Sequence, residues 1–297
     1  MSAAVDFTYR YAFPSALETA GNEPRLRLAT CTPNQPSPYF FDGLMRDPRI
    51  VGDMMLVLSD VVRTHFFLAR PPLMDPVLTS TESMLRLEGF SGCCGVYARV
   101  DLAAEAFDGE IFGRGTTNVD FNNPMRAALS RIRPTEEVRF AVGRDEVALE
   151  RSGEKTVEKK VRLPLRWIKG FSEVQAYQPS LSLAHDVPAS EGLRLIRSFP
   201  RGRALKRPTF VVAVGSKLRL SQRERPGSVR LSGTHRVRIL EPLFTSAKGL
   251  RVWHDDRAGT SAWEVIFEQA AFFLMVSPEV ERGFSGEGQV LSALAGG

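Results

Sequence analysis

The chain has 297 residues, 43% hydrophobic and 25% charged, with 39 Lys and Arg against 34 Asp and Glu for a net charge of +5. At about 150 residues per domain the length allows two domains, and a core of that size needs no disulfides. Composition excludes a disordered, collagenous or coiled-coil chain, and no window holds 18 uninterrupted apolar residues, so no membrane span is expected.

The first residues, 1–11, show no basic stretch followed by an apolar run, so no secretory leader is expected. The cysteines are Cys31, Cys93 and Cys94. Three thiols, two of them adjacent, make a poor disulfide framework and fit a reducing cytoplasm. The charge is uneven. Between Asp186 and Leu240 there are 13 basic and 3 acidic residues, a net of +10 that leaves about −5 for the rest. Such concentration is the electrostatic footprint of a polyanion partner, or a solubilising surface.

In chain order, a strand is expected at 38–44. A helix follows at 48–66, with Asp47 as N-cap, Pro48 in the first turn and a stripe of Ile50, Met54, Val57, Leu58, Val61 and Val62. Strands come near 77–80, 84–90 and 95–101, where apolar residues alternate with polar ones. A second strand-helix pair lies at 117–121 and 124–132, capped by Asn123, with strands near 138–142, 146–150 and 158–163. Residues 167–179 read as an extended connector. Next come a strand at 181–187, a helix at 189–199 with Leu193, Ile196 and Phe199 on one face, a basic mobile loop at 200–208, and strands near 209–214, 217–223 and 228–232. A strand at 236–240, a helix at 241–248 and strands near 250–254, 262–267 and 271–276 close the chain.

One unit thus recurs four times: strand, helix, three strands. The expected class is α+β, four such repeats in two pseudo-symmetric domains at 1–165 and 181–297, joined by a connector at 166–180. The last strand, Ala-Ala-Phe-Phe-Leu-Met-Val, must be buried on both faces or lie at an edge that needs cover.

The element order resembles the sliding-clamp (DNA clamp) family over about residues 38–280. That resemblance implies a non-enzymatic, clamp-like subunit that encircles or holds duplex DNA without sequence specificity and tethers partner proteins. It also implies a homotrimeric ring closed by edge strands of adjacent chains. Its helices would line the hole. The residues expected to meet phosphates are then Arg126, Arg131 and Arg133 about the second helix, Arg194 and Arg197 on the third, Arg201, Arg203 and Lys206 after it, and Lys248 and Arg251 at the end of the fourth. These contacts would be salt-sensitive. The alternative is a set of solvated helix faces with arginine favoured at helix C-termini. Partner peptides would dock beneath the connector, on exposed Trp167, Phe171 and Tyr177, unless these rings plug the gap between the halves.

Other segments resemble the N-terminal region of bacterial SWIM zinc-finger proteins: EGFSGCCGVYARVDL at 88–102, GTTNVDFN at 115–122, RWIKGF at 166–171 and GFSGEGQ at 283–289. That family occurs beside MoxR-type AAA ATPases and von Willebrand A-domain proteins. The rival function is therefore a monomeric protein-interaction scaffold of such a system. The family's Cys-x-Cys and Cys-x-His zinc ligands are missing from this sequence, so no metal or other cofactor is expected. Cys93 and Cys94 read as structural thiols, since structural zinc needs four ligands and the histidines are scattered. The glycine-rich 113–115 and 283–288 lack phosphate-loop spacing. Asp101 and Asp120 could serve as acids in an enzyme, but fit strand ends or helix lead-ins better.

Overall fold

A computed structural model describes residues 16–20, 23–27, 39–64, 76–111, 113–163, 165–201, 207–255, 259–278 and 283–284. A separate antiparallel hairpin joins β1 (Ala16–Ala20) to β2 (Glu23–Arg27). β3 (Tyr39–Met45) leads into α1 (Pro48–Arg63), where Val51, Met54, Met55, Leu58, Val61 and Val62 are buried at helical spacing. Three strands follow, β4 (Val77–Ser80), β5 (Met84–Phe90) and β6 (Val96–Ala103). Then come β7 (Phe107–Ile111), β8 (Gly115–Asn118) and α2 (Asn123–Ser130). The cap of α2 is Asn122, one residue before the expected Asn123: its Oδ1 accepts from the Met125 N–H at 3.3 Å. β9 (Val138–Gly143), β10 (Glu146–Arg151) and β11 (Glu154–Lys159) complete the first half.

The second half holds α3 (Leu165–Tyr177), β12 (Ser182–Pro188), α4 (Ala189–Ser198), β13 (Phe210–Val214), β14 (Lys217–Ser221), β15 (Val229–Arg230) and α5 (Thr234–Val237). A 3-10 helix at Arg238–Thr245 continues α5, and β16 (Gly249–Asp255), β17 (Thr260–Ile266) and β18 (Ala270–Val276) follow.

Three sheets carry these strands, all antiparallel. The largest runs β12-β16-β17-β18-β6-β5-β4-β8, so its middle joins a strand of the first half, β6, to one of the second, β18. In the register Phe272 faces Val100 and Leu274 faces Ala98. Phe272, Leu274, Met275 and Val276 are wholly buried, each contributing about 2 kcal/mol relative to exposure. A five-stranded sheet runs β11-β10-β9-β3-β7, and a three-stranded one β14-β13-β15. α1 packs against α2, and α4 against the 3-10 helix at 238–245, which also touches α1. That packing is tight. A Cβ on Gly192 of α4 would lie 2.5 Å from the Phe244 ring and 3.0 Å from Leu250.

Three expectations change, and for the apolar strand at 270–276, left open between burial on both faces and an edge, burial is found. Residues 236–240 are helical, not a strand. Their Arg-Val-Arg-Ile alternation reads as period two, but Arg236 is fully buried and donates to the carbonyls of Ser232, Gly95 and Ser277. Residues 229–230 pair with β13 at the position that β3 takes beside β9, so they lead into α5 and do not close the preceding unit. The stretch 165–177 is a helix, not an extended connector: Trp167, Phe171, Val174 and Tyr177 fall on one face at helical spacing. The apolar strand at 270–276 is internal to the large sheet, not an edge open to another chain. Three strands, β1, β2 and β7, stand where none is expected, and of these only β7 joins one of the larger sheets. It holds two acids and a glycine, and its Gly109 faces Gly43 so closely that a Cβ would fall 2.3 Å from the neighbouring backbone. The expected basic loop at 200–208 lies mostly outside the described residues, Arg203 and Lys206 with it.

Candidate functional site

The large sheet has two faces. One carries Leu250, Val252, Trp263 and Val265 toward the helices. On the other, alternation places Arg251, Trp253, Glu264, Phe273, Arg99, Asp101, Tyr97, Arg86 and Glu88. Here the charges are cross-strand pairs. Arg86 holds Asp101 through two bonds of 2.6 and 3.2 Å, and Arg99 reaches the same carboxylate at 2.9 Å. Tyr97 donates to Glu88 at 2.5 Å, and burial pushes both groups above their ordinary pKa. Asp101 is thus locked, not available as an acid. The Arg99 guanidinium sits 4.4 Å above the Phe273 ring.

Beside that ring the sheet opens into a cavity of about 220 Å³ lined by Arg99, Gln178, Leu181, Trp253, Glu264 and Phe273. Its roof is the segment after α3. A 3-10 turn at Gln178–Ser180 is pinned to the sheet where Ser180 donates to Asp255 at 2.6 Å. Its flank is β12, the outermost strand, bulged between Leu183 and His185, with Leu183 opposite Trp253 and 48% exposed. The indole Nε1 of Trp253 is buried and has no hydrogen-bond partner among the described residues. The cavity therefore offers an apolar floor over Phe273 and Trp253 and, at its walls, a cation and an anion, while the Trp253 Nε1 stays buried out of its reach.

The three aromatic residues expected as exposed anchors are not part of it. Trp167 is fully buried and packs edge-on against Phe90 and Phe171. Phe171 packs on Phe90 and Tyr97, and Tyr177 on Phe284. They plug the ground between α3 and the sheet. The sequence signal missed is the outward alternation of Arg251 and Trp253 on β16, which marks the open face.

The expected phosphate contacts are scattered. Arg126 is half-buried against Asp60 at 2.7 Å. Arg194 holds Glu191 and the Leu218 carbonyl, while Leu218 N–H donates to Glu191 at 2.6 Å. These bonds draw the Glu191 pKa down to about 2, Arg194 contributing most. The pair thereby caps the free edge of β14. Arg197 reaches Glu241 at 3.1 Å, and Lys248, in the turn before β16, pairs with Glu268. Arg251 is on a strand rather than a helix end, between Asp186 at 3.1 Å and Glu264 at 3.8 Å. Arg131, Arg133 and Arg201 are exposed.

Elsewhere, Cys94 is buried in the turn between β5 and β6, at a φ of 56°, and its carbonyl accepts from the Phe284 N–H at 2.7 Å. Glu158 is 4% exposed. Burial raises its pKa to about 7, opposed by a 2.7 Å bond from Asn122 and aided by the Asp120 charge. Among the described residues no three His, Cys, Asp or Glu side chains gather to hold a metal, and no helix is long and apolar enough to cross a membrane.

No family model and no curated protein matches the sequence. In fold the chain is similar to the solved proliferating cellular nuclear antigen of Entamoeba histolytica, at a TM-score of 0.55 and 9% identity, covering 81% of this chain and 99% of that one. The fold is clamp-like, a mixed arrangement of helices and sheets.

Proposed function

We propose that this chain is a non-enzymatic, clamp-like scaffold that holds a short extended segment of a partner protein in the groove between β12 and the turn at Gln178–Ser180. One observation carries this reading: the open cavity of about 220 Å³ with Phe273 and Trp253 at its floor. A peptide with one apolar side chain would fill the floor over Phe273 and Trp253, with Arg99 and Glu264 at the walls to meet its polar groups. Burying one such anchor in a desolvated pocket is how small interfaces gain most of their affinity. The resemblance to SWIM-family segments favours a MoxR-type AAA ATPase or a von Willebrand A-domain protein as the source of the segment. Selection of displayed peptides on the parent chain tests this. Enriched peptides should share an apolar anchor, and Trp253→Ala should weaken them about tenfold or more. A selection that enriches nothing, or binders indifferent to both Trp253→Ala and Phe273→Ala, overturns the reading.

Holding DNA is the rival reading, and the charge of the second half favours it. On the helix faces it would rest on Arg131, Arg133 and Arg201, because the other expected cations that are described already face carboxylates. Self-association into a trimeric ring would use two free edges, β11 and β14. Pairing along β14 requires Glu191 and Arg194 to release Leu218.

A further inference from the structure

The excess positive charge of the second half does not gather on its helices. It gathers on the three-stranded sheet. Opposite residues of an antiparallel pair share a face, so the register of β14-β13-β15 puts Lys217, Arg219 and Arg230 on one side, with Val212, Val214 and Phe210 between them. The other side carries Val211, Leu218 and Val229 into the core. Arg207, Arg223 and Arg225 border the cationic side from the turns. All six cations are exposed, and Glu224 is the one carboxylate in 207–230. None of the six forms an ion pair among the described residues, whereas Arg126, Arg139, Arg151, Arg194 and Arg238 all do.

We infer that this face of the three-stranded sheet binds the phosphodiester backbone of a nucleic acid. Lys217 and Arg219 are two residues apart on one strand face, about 7 Å, and Arg230, in register with Ser221, lies two strand spacings across and two residues along from Arg219, about 12 Å. That ladder can meet several phosphates at once. Five of the six cations are arginines, whose planar forks suit phosphate oxygens. Phe210 and Val212 are buried, the cavity of about 140 Å³ beside Phe210 and Arg230 is lined mostly by polar and charged residues, and of the apolar residues on this face only Val214, 45% exposed, stands clear. Unpaired cations this close repel one another, and a polyanion relieves that repulsion while releasing its own counterions. Recognition would follow backbone charge and not sequence. The surface is separate from the peptide groove and from the helix faces, so it stands or falls independently of both.

The experiment is fluorescence anisotropy of a labelled duplex oligonucleotide with the full chain across a salt series, with labelled poly-glutamate as the competing polyanion. The parent should bind duplex with a steep salt dependence. Lys217→Glu/Arg219→Glu/Arg230→Glu should weaken binding about 100-fold and flatten the log–log salt slope by about 3 units. Lys217→Gln/Arg219→Gln/Arg230→Gln, changed only at exposed positions and melting as the parent does, should fall between the two. Arg131→Glu/Arg133→Glu should bind nearly as the parent. Duplex binding that survives the triple reversal overturns the inference. So does loss confined to Arg131→Glu/Arg133→Glu, which would move the contact to the helix faces. A parent that binds poly-glutamate but not duplex, or binds neither, also overturns it and leaves the groove reading as it was.

Discussion

The five-stranded sheet of the first half and the three-stranded sheet of the second differ in their edges and their charges. In the first, β9 is flanked by β3 on one side and by β10 and β11 on the other, and cations face carboxylates, as Arg139 does Asp42 at 2.7 Å. In the second, β14 is the end of the sheet, and exposed cations outnumber acids. That edge the protein closes with side chains: Glu191 takes the N–H of Leu218 and Arg194 its carbonyl. One sheet thus holds Arg139 and Arg151 against carboxylates, while the other ends in a capped, basic edge. Exposed strand edges invite pairing with other chains, and charged side chains over the edge are a known remedy.

The largest effect expected from breaking this comparison is at Gly192. A valine there would drive its side chain into Phe244 and Leu250, which the packed second half cannot move aside, costing about 3 kcal/mol. Urea unfolding should show the loss. A variant as stable as the parent would mean that the contact between α4 and the 3-10 helix is looser than described.

A somewhat smaller effect belongs to Glu158 on the free edge of the five-stranded sheet. Its folded pKa of about 7 stands above the unfolded carboxylate value, so the folded state holds the proton more tightly. Stability from this group is present below about pH 4.5, falls as pH rises through the window from 4.5 to 7, and is absent above it. Glu158→Gln should remove that slope and gain on the order of 2 kcal/mol at pH 8, read from thermal melts at pH 5 and 8. Equal slopes in parent and variant would refute the assignment.

Next is the capped edge. Glu191→Gln/Arg194→Gln should loosen the side-chain cover of β14 and raise association with concentration, seen by light scattering as mass above 33.0 kDa. A parent that already scatters as a stable trimer, unchanged in the variant, would show that the cap does not govern association. Smallest of all is Arg114→Ala. Its ion pair with Glu82 joins side chains 73% and 80% exposed, and such pairs contribute about 0.5 kcal/mol or less. A melting shift of several degrees there would be out of line with every other contact in the first half.

Much of this architecture is legible in residue order. Alternation at 84–90, 138–142, 209–214 and 262–267 falls on strands, and Pro48 and Asn122 mark where α1 and α2 begin. What escapes is what tertiary contacts decide. Arg236 sits in an alternating run, but carbonyls from three separate segments claim its guanidinium and the run becomes helical. The helix at 165–177 carries its own periodicity in Trp167, Phe171 and Val174, which a reading of the break between repeats as an extended connector passes over. The candidate site divides the same way. Charge concentration in the second half is plain from composition. Which cations are already paired depends on carboxylates such as Asp60 and Glu241, far away in sequence. The groove is harder still, since Arg99, Trp253 and Phe273 meet only once three strands are in register.

The seam between β6 and β18 has a consequence for how the molecule is born. Ala98 waits for Leu274, and Tyr97 for Met275, so the widest sheet cannot be zipped until nearly the whole chain has left the ribosome. Pairings so distant in sequence are slow to form, and an apolar edge left open meanwhile is a hazard for sticking to neighbours. A growing chain halted before residue 270 should therefore be the most aggregation-prone species of this protein, and a chaperone's most natural client.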